Sequence, residues 1–223
     1  MRDYKLKLLL FFTLLVGFSE ALAQIQTPNK VERESKLHFE KVIKLLDKKP
    51  KWLYSEDICP FEVMPDFLSK VKNVSEGCLN NAEICLTECK KDDGLACYSL
   101  ALWIQEEKGL LQDYSERLFL RSCKLGVVSG CTNRAAAIIN SQETDEKAIK
   151  CAVDTFEKTC EKDDPWGCTM FGFALYLGKG RPQDLDKAVK VLSKSCKNGV
   201  EDPACQSANQ LIEEIKKVRR KST

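Results

Sequence analysis

The sequence predicts an all-α fold: an α/α solenoid of helix–turn–helix repeats with disulfide-stapled corners. Three observations predict it. Cysteines recur in pairs eight or nine positions apart, as Cys89 and Cys97, Cys123 and Cys131, Cys160 and Cys168, and Cys196 and Cys205. The first members of these pairs follow one another at intervals of 34, 37 and 36 residues, a period expected of stacked helix pairs. Large apolar and small residues also keep register with the cysteines. Cys85, Phe119, Phe156 and Leu192 stand four before the first cysteine, and Ile104, Ile138, Leu175 and Ile212 stand seven after the second. The smaller Ala101, Ala135, Gly172 and Asn209 stand four after the second, as helices that pack closely require.

The spacing implies a chain reversal. Eight residues of one helix span about 12 Å, whereas a disulfide holds its Cα atoms within about 7 Å. The segments between the cysteines suit a reversal. In "EKDDPWG", Asp164 can cap a new helix and Pro165 can fill its first position; Asp202 and Pro203 repeat the device. A staple closing about nine residues contributes about 2.5 kcal/mol on the chain-entropy account. That matters in an array whose repeats touch only their neighbours.

Taken in order, residues 1–23 read as a secretory signal peptide. Arg2, Lys5 and Lys7 precede the apolar run from Leu8 to Phe18, and "ALA" ends at Ala23. Gln24, not a cysteine, comes directly after Ala23, which argues against a lipid anchor, and the run is short for a membrane span. Residues 24–80 form the expected N-terminal capping region, with an amphipathic helix over 31–47, a break at "KKPKW" and a second helix over 61–73. The repeat array occupies 81–223. "GKGRPQD" links two of its helices with Asp184 as cap, and a polar helix closes it.

Twelve cysteines and a leader together point to an oxidising compartment, secreted or periplasmic. The chain carries 35 Lys and Arg against 33 Asp and Glu. Without residues 1–23, which hold three bases and two acids, the net charge is +1. That balance argues against nucleic acid as a partner and offers no attraction to anionic membranes.

The stretch "FGFALYLGKGRPQDLDKAVKVLSKSC" resembles the Sel-one-like repeat, a TPR-like helix pair, at Gly172, Gly178, Gly180, Asp184, Lys187 and Ala188. Leu175 stands where that repeat has an aromatic residue, and Arg181 where it usually has valine. The cysteine at each helix corner makes the chain similar to the secreted, cysteine-rich Hcp beta-lactamase family over residues 82–215. The similarity is weaker between 123 and 160, where "NSQETDEKAIK" replaces the glycine loop. The resemblance implies two roles: a scaffold that binds a protein, peptide or peptidoglycan-like ligand as adaptor, regulator or immunity partner, or a weak beta-lactamase or penicillin-binding hydrolase. It implies no shared catalytic set.

The residues themselves favour the scaffold. Ser69 and Lys72 match serine-x-x-lysine, but the accompanying serine-aspartate-asparagine and lysine-threonine-glycine motifs are absent, so both read as solvated helix positions. His38 is the only histidine; it reads as a boundary residue and leaves neither a zinc site nor a histidine-based triad. Trp52, Trp103 and Trp166 read as packing between repeats, and "NVS" at Asn73 matches a glycosylation sequon. Four cysteines, Cys59, Cys78, Cys85 and Cys151, have no assigned partner, and three pairings are open. Cys59 with Cys78 would brace the cap, and Cys151 falls at an exposed register position where a free thiol is conceivable. Cys85 and Cys89, one turn apart, have the softness for a metal; their structural reading is a core position and a corner staple. Thiol-redox or soft-metal handling is thus a third function, and no cofactor is expected. The sequence leaves oligomeric state open.

Overall fold

The computed structural model describes residues 30–54, 58–66, 68, 81–107, 112–140 and 145–222. The predicted leader, Ser69, Lys72, Asn73 and Cys78 lie outside the described residues. The chain divides into two units, Met1–Lys36 and Leu37–Thr223. The described residues of the first, 30–36, are helical; the second contains the helix pairs.

Ten α-helices occur among the described residues, and no strand. They are α1 (Lys30–Leu46), α2 (Pro60–Val63), α3 (Ala82–Lys90), α4 (Gly94–Glu107), α5 (Gln112–Lys124), α6 (Val128–Asn140), α7 (Glu146–Glu161), α8 (Pro165–Leu177), α9 (Leu185–Ser193) and α10 (Pro203–Ser222). A 3₁₀ turn, Lys194–Asn198, follows α9. From α3 to α10 most helices pack on the next in chain order, and α8 also meets α6 and α10. The result is an all-α, solenoid-like stack of helix pairs.

Each corner is built from the same backbone device. The third residue after the first cysteine takes a left-handed conformation: Asp92 (φ 71°), Gly126 (φ 87°), Asp163 (φ 62°) and Gly199 (φ 104°). Glycine and aspartate tolerate that region better than most residues. Its N–H donates to the carbonyl of the first cysteine at 3.2, 2.9, 3.0 and 3.1 Å, in that order. At the first three corners the next N–H reaches back to the residue before the cysteine, from Asp93 to Glu88, Val127 to Ser122 and Asp164 to Thr159, each at 3.0 Å. These bonds satisfy carbonyls that a helix end leaves open. The following helix is then capped by Asp93, Asp164 or Asp202, which accept from the N–H of Ala96, Gly167 and Ala204 at 3.0, 2.9 and 2.8 Å. Pro165 and Pro203 open α8 and α10, as the sequence predicts.

The four corner disulfides close on this frame, with Cα atoms 4.6, 4.5, 4.4 and 4.4 Å apart from the first corner to the last. The close approach needs a small residue immediately before the second cysteine, and Ala96, Gly130, Gly167 and Ala204 supply it. A Cβ at Gly130 would lie 2.7 Å from Ser122 Oγ, and one at Gly167 would lie 2.3 Å from Thr159 Oγ1.

The end of α1 carries the same corner without a staple. Val42, Leu46 and Lys49 reproduce the spacing of Cys85, Cys89 and Asp92. Val42 and Leu46 are fully buried, Lys49 has φ 47°, and its N–H donates to the Leu46 carbonyl at 2.8 Å. Pro50 follows and has no N–H for the second bond. Leu37 and Leu45, apolar positions of α1, are exposed.

Two expectations need correction. Of the helix expected over 61–73, the described residues form the single turn α2, which ends at Val63; residues 67 and 69–73 lie outside the described residues. Pro65 disfavours the helical region for the residue before it, and Met64 is extended at ψ 120°. The register expected at Asn209 and Ile212 is also displaced: Asn209 is exposed and Ile212 half-buried, while Ala208 and Leu211 are buried. Counted from Cys196, these lie at the same intervals as Ala101 and Ile104 do from Cys89. The longer fourth corner moves Cys205 without moving the packed face.

Candidate functional site

Residues 47–54 lie against α5, and residues 58–63, which include α2, meet α5, α6 and α7; these described residues form a strap. Arg121, on α5, is their main anchor. Its guanidinium stacks on the Trp52 ring 4.9 Å from the centroid and donates from Nη1 to the Trp52 carbonyl at 3.0 Å. Nε donates to the Cys89 carbonyl at 3.2 Å, and Nη2 pairs with Asp92 at 2.6 Å. One planar cation thereby ties the strap to the first stapled corner, using a fork geometry that a lysine lacks. One turn earlier, Arg117 lies over the Tyr54 ring at 4.3 Å, and Tyr54 donates to Asp113 at 3.1 Å. Burial, with Asp113 beside it, pushes the Tyr54 phenol above its ordinary range. Tyr114 donates to Asp47, and that bond to a carboxylate pushes its phenol up to about 12.

The strap ends in a covalent link. Cys59 is bonded to Cys151 of α7, with Cα atoms 5.9 Å apart and a sequence separation of 92. This selects among the three pairings the sequence leaves open, excludes the one that joins Cys59 to Cys78, and shows that Cys151 is not a free thiol: helix packing brings α2 against α5, α6 and α7 and places Cys59 beside Cys151. Cys85 is disulfide-bonded as well, and no described cysteine is free. In this oxidised state Cys85 and Cys89 hold no thiolates for a soft metal. Pro60, buried, places its carbonyl 3.8 Å from Cys123 Sγ. That is a contact and not a hydrogen bond, since a disulfide sulfur carries no proton.

Strap, α6 and α7 together enclose a groove of about 510 Å³, within the range of ligand sites. Ile58 and Phe61 come from the strap, Ile138 from α6, and Ala148 with the disulfide from α7; these form its apolar part. The charged lining is balanced, with Glu62, Asp145 and Asp154 against Arg134, Lys147 and Lys150. Several of these charges are already engaged. Arg134, almost fully buried, donates to Glu116 at 2.8 Å. Asp145 caps α7 by accepting from the Ala148 N–H at 2.6 Å. Asp154 meets Lys150 at 2.5 Å and Arg181 at 2.7 Å; its buried Oδ1 receives no well-directed hydrogen bond, so the Arg181 contact there is an ion pair only.

The glycine loop between α8 and α9 packs against α7 beside this region. Gly180, at φ 67°, lies so close to α7 that a Cβ would meet Val153 at 2.9 Å. The loop carries Arg181 to both Asp154 and Glu157. Burial alone would raise the Glu157 carboxyl, but Arg181 and Lys187 outweigh it and hold the group below its ordinary range.

A smaller cleft of about 290 Å³ lies at the corners, lined by Tyr98, Ser129, Asp163, Asp164, Trp166 and Lys197 among others. Its central group, Asp164, is spent on structure. The carboxylate accepts from Ser129 at 2.8 Å, Thr132 at 2.7 Å and the Gly167 N–H at 2.9 Å. Burial pushes its carboxyl up, and the hydrogen bonds partly oppose that shift. Burial likewise pushes Tyr98 up to about 12, and Asp164 adds to it.

The remaining sequence candidates are structural. His38 Nδ1 donates to Glu83 at 2.6 Å, a half-buried pair between α1 and α3. Trp103 meets the edge of Phe39 at 5.2 Å. The serine and lysine considered for a hydrolase, Ser69 and Lys72, lie outside the described residues. Sequence reasoning missed the groove. Its strap wall lies more than 70 residues away in sequence from the α6 and α7 walls, and only the unassigned cysteines hinted at their meeting. No family model matches the chain, and no curated protein or solved structure is similar to it.

Proposed function

We propose that the chain is a binding module whose groove takes an extended segment of a partner protein, with an apolar side chain seated between the strap and α6–α7. The observation that carries this reading is the groove itself: an apolar lining held between two rigid helices and a covalently attached wall. A wall fixed before binding lowers the ordering cost of association. Balanced charges around the lining suit a peptide backbone and one apolar anchor better than a polyanion. The resemblance to Sel-one-like repeats supports the same class of role. Leader-like residues 1–23 and the disulfides support placing the protein outside the reducing cytosol, secreted or periplasmic.

The test is crosslinking from the groove. A photoreactive group at Lys147 should capture one defined peptide segment in the native compartment. Ile138→Asp, which sets a charge in the apolar lining, should abolish that capture. Equal capture by the variant would overturn the proposal.

A further inference from the structure

We propose that the Cys59–Cys151 disulfide is a thiol-accessible latch: a dithiol reductant opens it selectively, releases the strap wall and dismantles the groove while the corner staples stay closed. The proposal rests on the groove as the binding site and names how that site is regulated.

Accessibility distinguishes this bond. Among the five disulfides between described residues, it is the one in which neither cysteine is buried. At each corner at least one partner is covered: Cys89, Cys97, Cys123, Cys131 and Cys205 are fully buried, and Cys168 is 1% exposed. Thiol exchange needs a thiolate to reach a disulfide sulfur, so the first three corner pairs, buried at both cysteines, are shielded, the fourth is open at half-buried Cys196 alone, and the latch is open to attack at both ends.

Topology decides the consequence. Opening a corner staple leaves two helices that still pack on each other and share the capped turn. Opening Cys59–Cys151 removes the only covalent tie between described parts of the strap and α7. The strap's arginine anchors, Arg121 and Arg117, hold Trp52 and Tyr54; neither reaches the groove residues Ile58, Phe61 and Glu62. Those residues flank or lie in a four-residue helix, Pro60–Val63, in which only Pro60 is buried. A helix that short has no stability of its own. The wall therefore depends on the bond.

In the chemical step, one thiolate of the dithiol attacks Cys59 or Cys151 and displaces the other as a thiolate, forming a mixed disulfide. The second thiol of the reagent then displaces the remaining protein sulfur. The reagent leaves as its own disulfide, and its two electrons and two protons end on Cys59 and Cys151.

The experiment is a titration of the oxidised full chain with dithiothreitol, followed by alkylation, peptide mass spectrometry and hydrogen exchange. Cys59 and Cys151 should be labelled at least tenfold faster than Cys89, Cys123, Cys160 or Cys196. The amides of Phe61, Glu62 and Val63 should then exchange at least tenfold faster, with α5 and α8 unchanged. Reduction of any corner pair at the same rate, or unchanged exchange after selective reduction, overturns the proposal. The Cys59→Ser/Cys151→Ser double variant should reproduce the exchange result; should it fail to fold, the reduced native chain supplies the same readout. None of these readouts uses a ligand. Capture from Lys147 that persists after selective reduction sinks the latch, whereas release of the wall in a protein that never captures a peptide sinks the binding reading alone.

Discussion

The carboxylate of Asp164, which caps α8, also accepts a hydrogen bond from Thr132 Oγ1 of α6 at 2.7 Å. One side chain thus closes its own corner and docks the preceding helix pair. Asp164→Ala should lower stability by about 2–3 kcal/mol, about 1 kcal/mol from the lost cap and the rest from unmet buried donors. Asp164→Asn, which keeps a carbonyl acceptor, should lose less than about 1.5 kcal/mol. Urea unfolding measures both, and equal losses would contradict this account.

The same residue sets a pH dependence with a definite sign. Burial holds its carboxyl above the ordinary aspartate range, so the folded state binds the proton more tightly than the unfolded chain does. Its contribution to stability is full below the ordinary aspartate value and is lost as pH rises through the folded value. The stability of the native chain minus that of Asp164→Asn should fall from pH 4 to pH 7. Glu157 has the opposite sign, because Arg181 and Lys187 hold its carboxyl low. The difference between the native chain and Glu157→Gln should grow as pH rises through the ordinary glutamate range. A flat or reversed trend in either series contradicts the assignment.

Gly167→Ala should destabilise by about 1–3 kcal/mol through overpacking, since the new methyl would stand 2.3 Å from Thr159 Oγ1 and 3.0 Å from the Cys160 amide nitrogen. In a Thr159→Ala background part of that loss should return, because one of the two obstacles is gone. A double-mutant cycle reads the coupling. Strictly additive losses would mean that the glycine is not needed for close approach of the two helices.

Arg121→Lys should behave much like Arg121→Ala. A lysine keeps the charge near Asp92 but cannot also stack on Trp52 and donate to two carbonyls. The amides of Leu53 and Tyr54, bonded to the Pro50 carbonyl at 2.9 and 3.0 Å, should exchange about tenfold faster in both variants, which is about 1.4 kcal/mol of lost protection. Native exchange rates in Arg121→Lys would show that charge alone anchors the strap.

The corners were legible because they are local. Cys160, Asp163, Asp164 and Pro165 lie within six residues, and their preferences for bonding, left-handed backbone and capping act wherever the helices stack. The matching corner at Val42, Leu46 and Lys49 was harder to read, since apolar packing replaces the cysteine there and a lysine takes the left-handed position. The fourth corner misled because the sequence counts from Cys205, whereas burial follows the side of α10 that meets α8.

The sequence by itself determined the helix pairs, their period and the four staples, because each depends on contacts within about ten residues. Only the tertiary structure decided that Cys59 meets Cys151 and that a strap, α6 and α7 enclose a groove. Those residues lie on separate helices, and which of them become neighbours follows from the packing angles summed over several repeats, a quantity that no short stretch of the chain encodes.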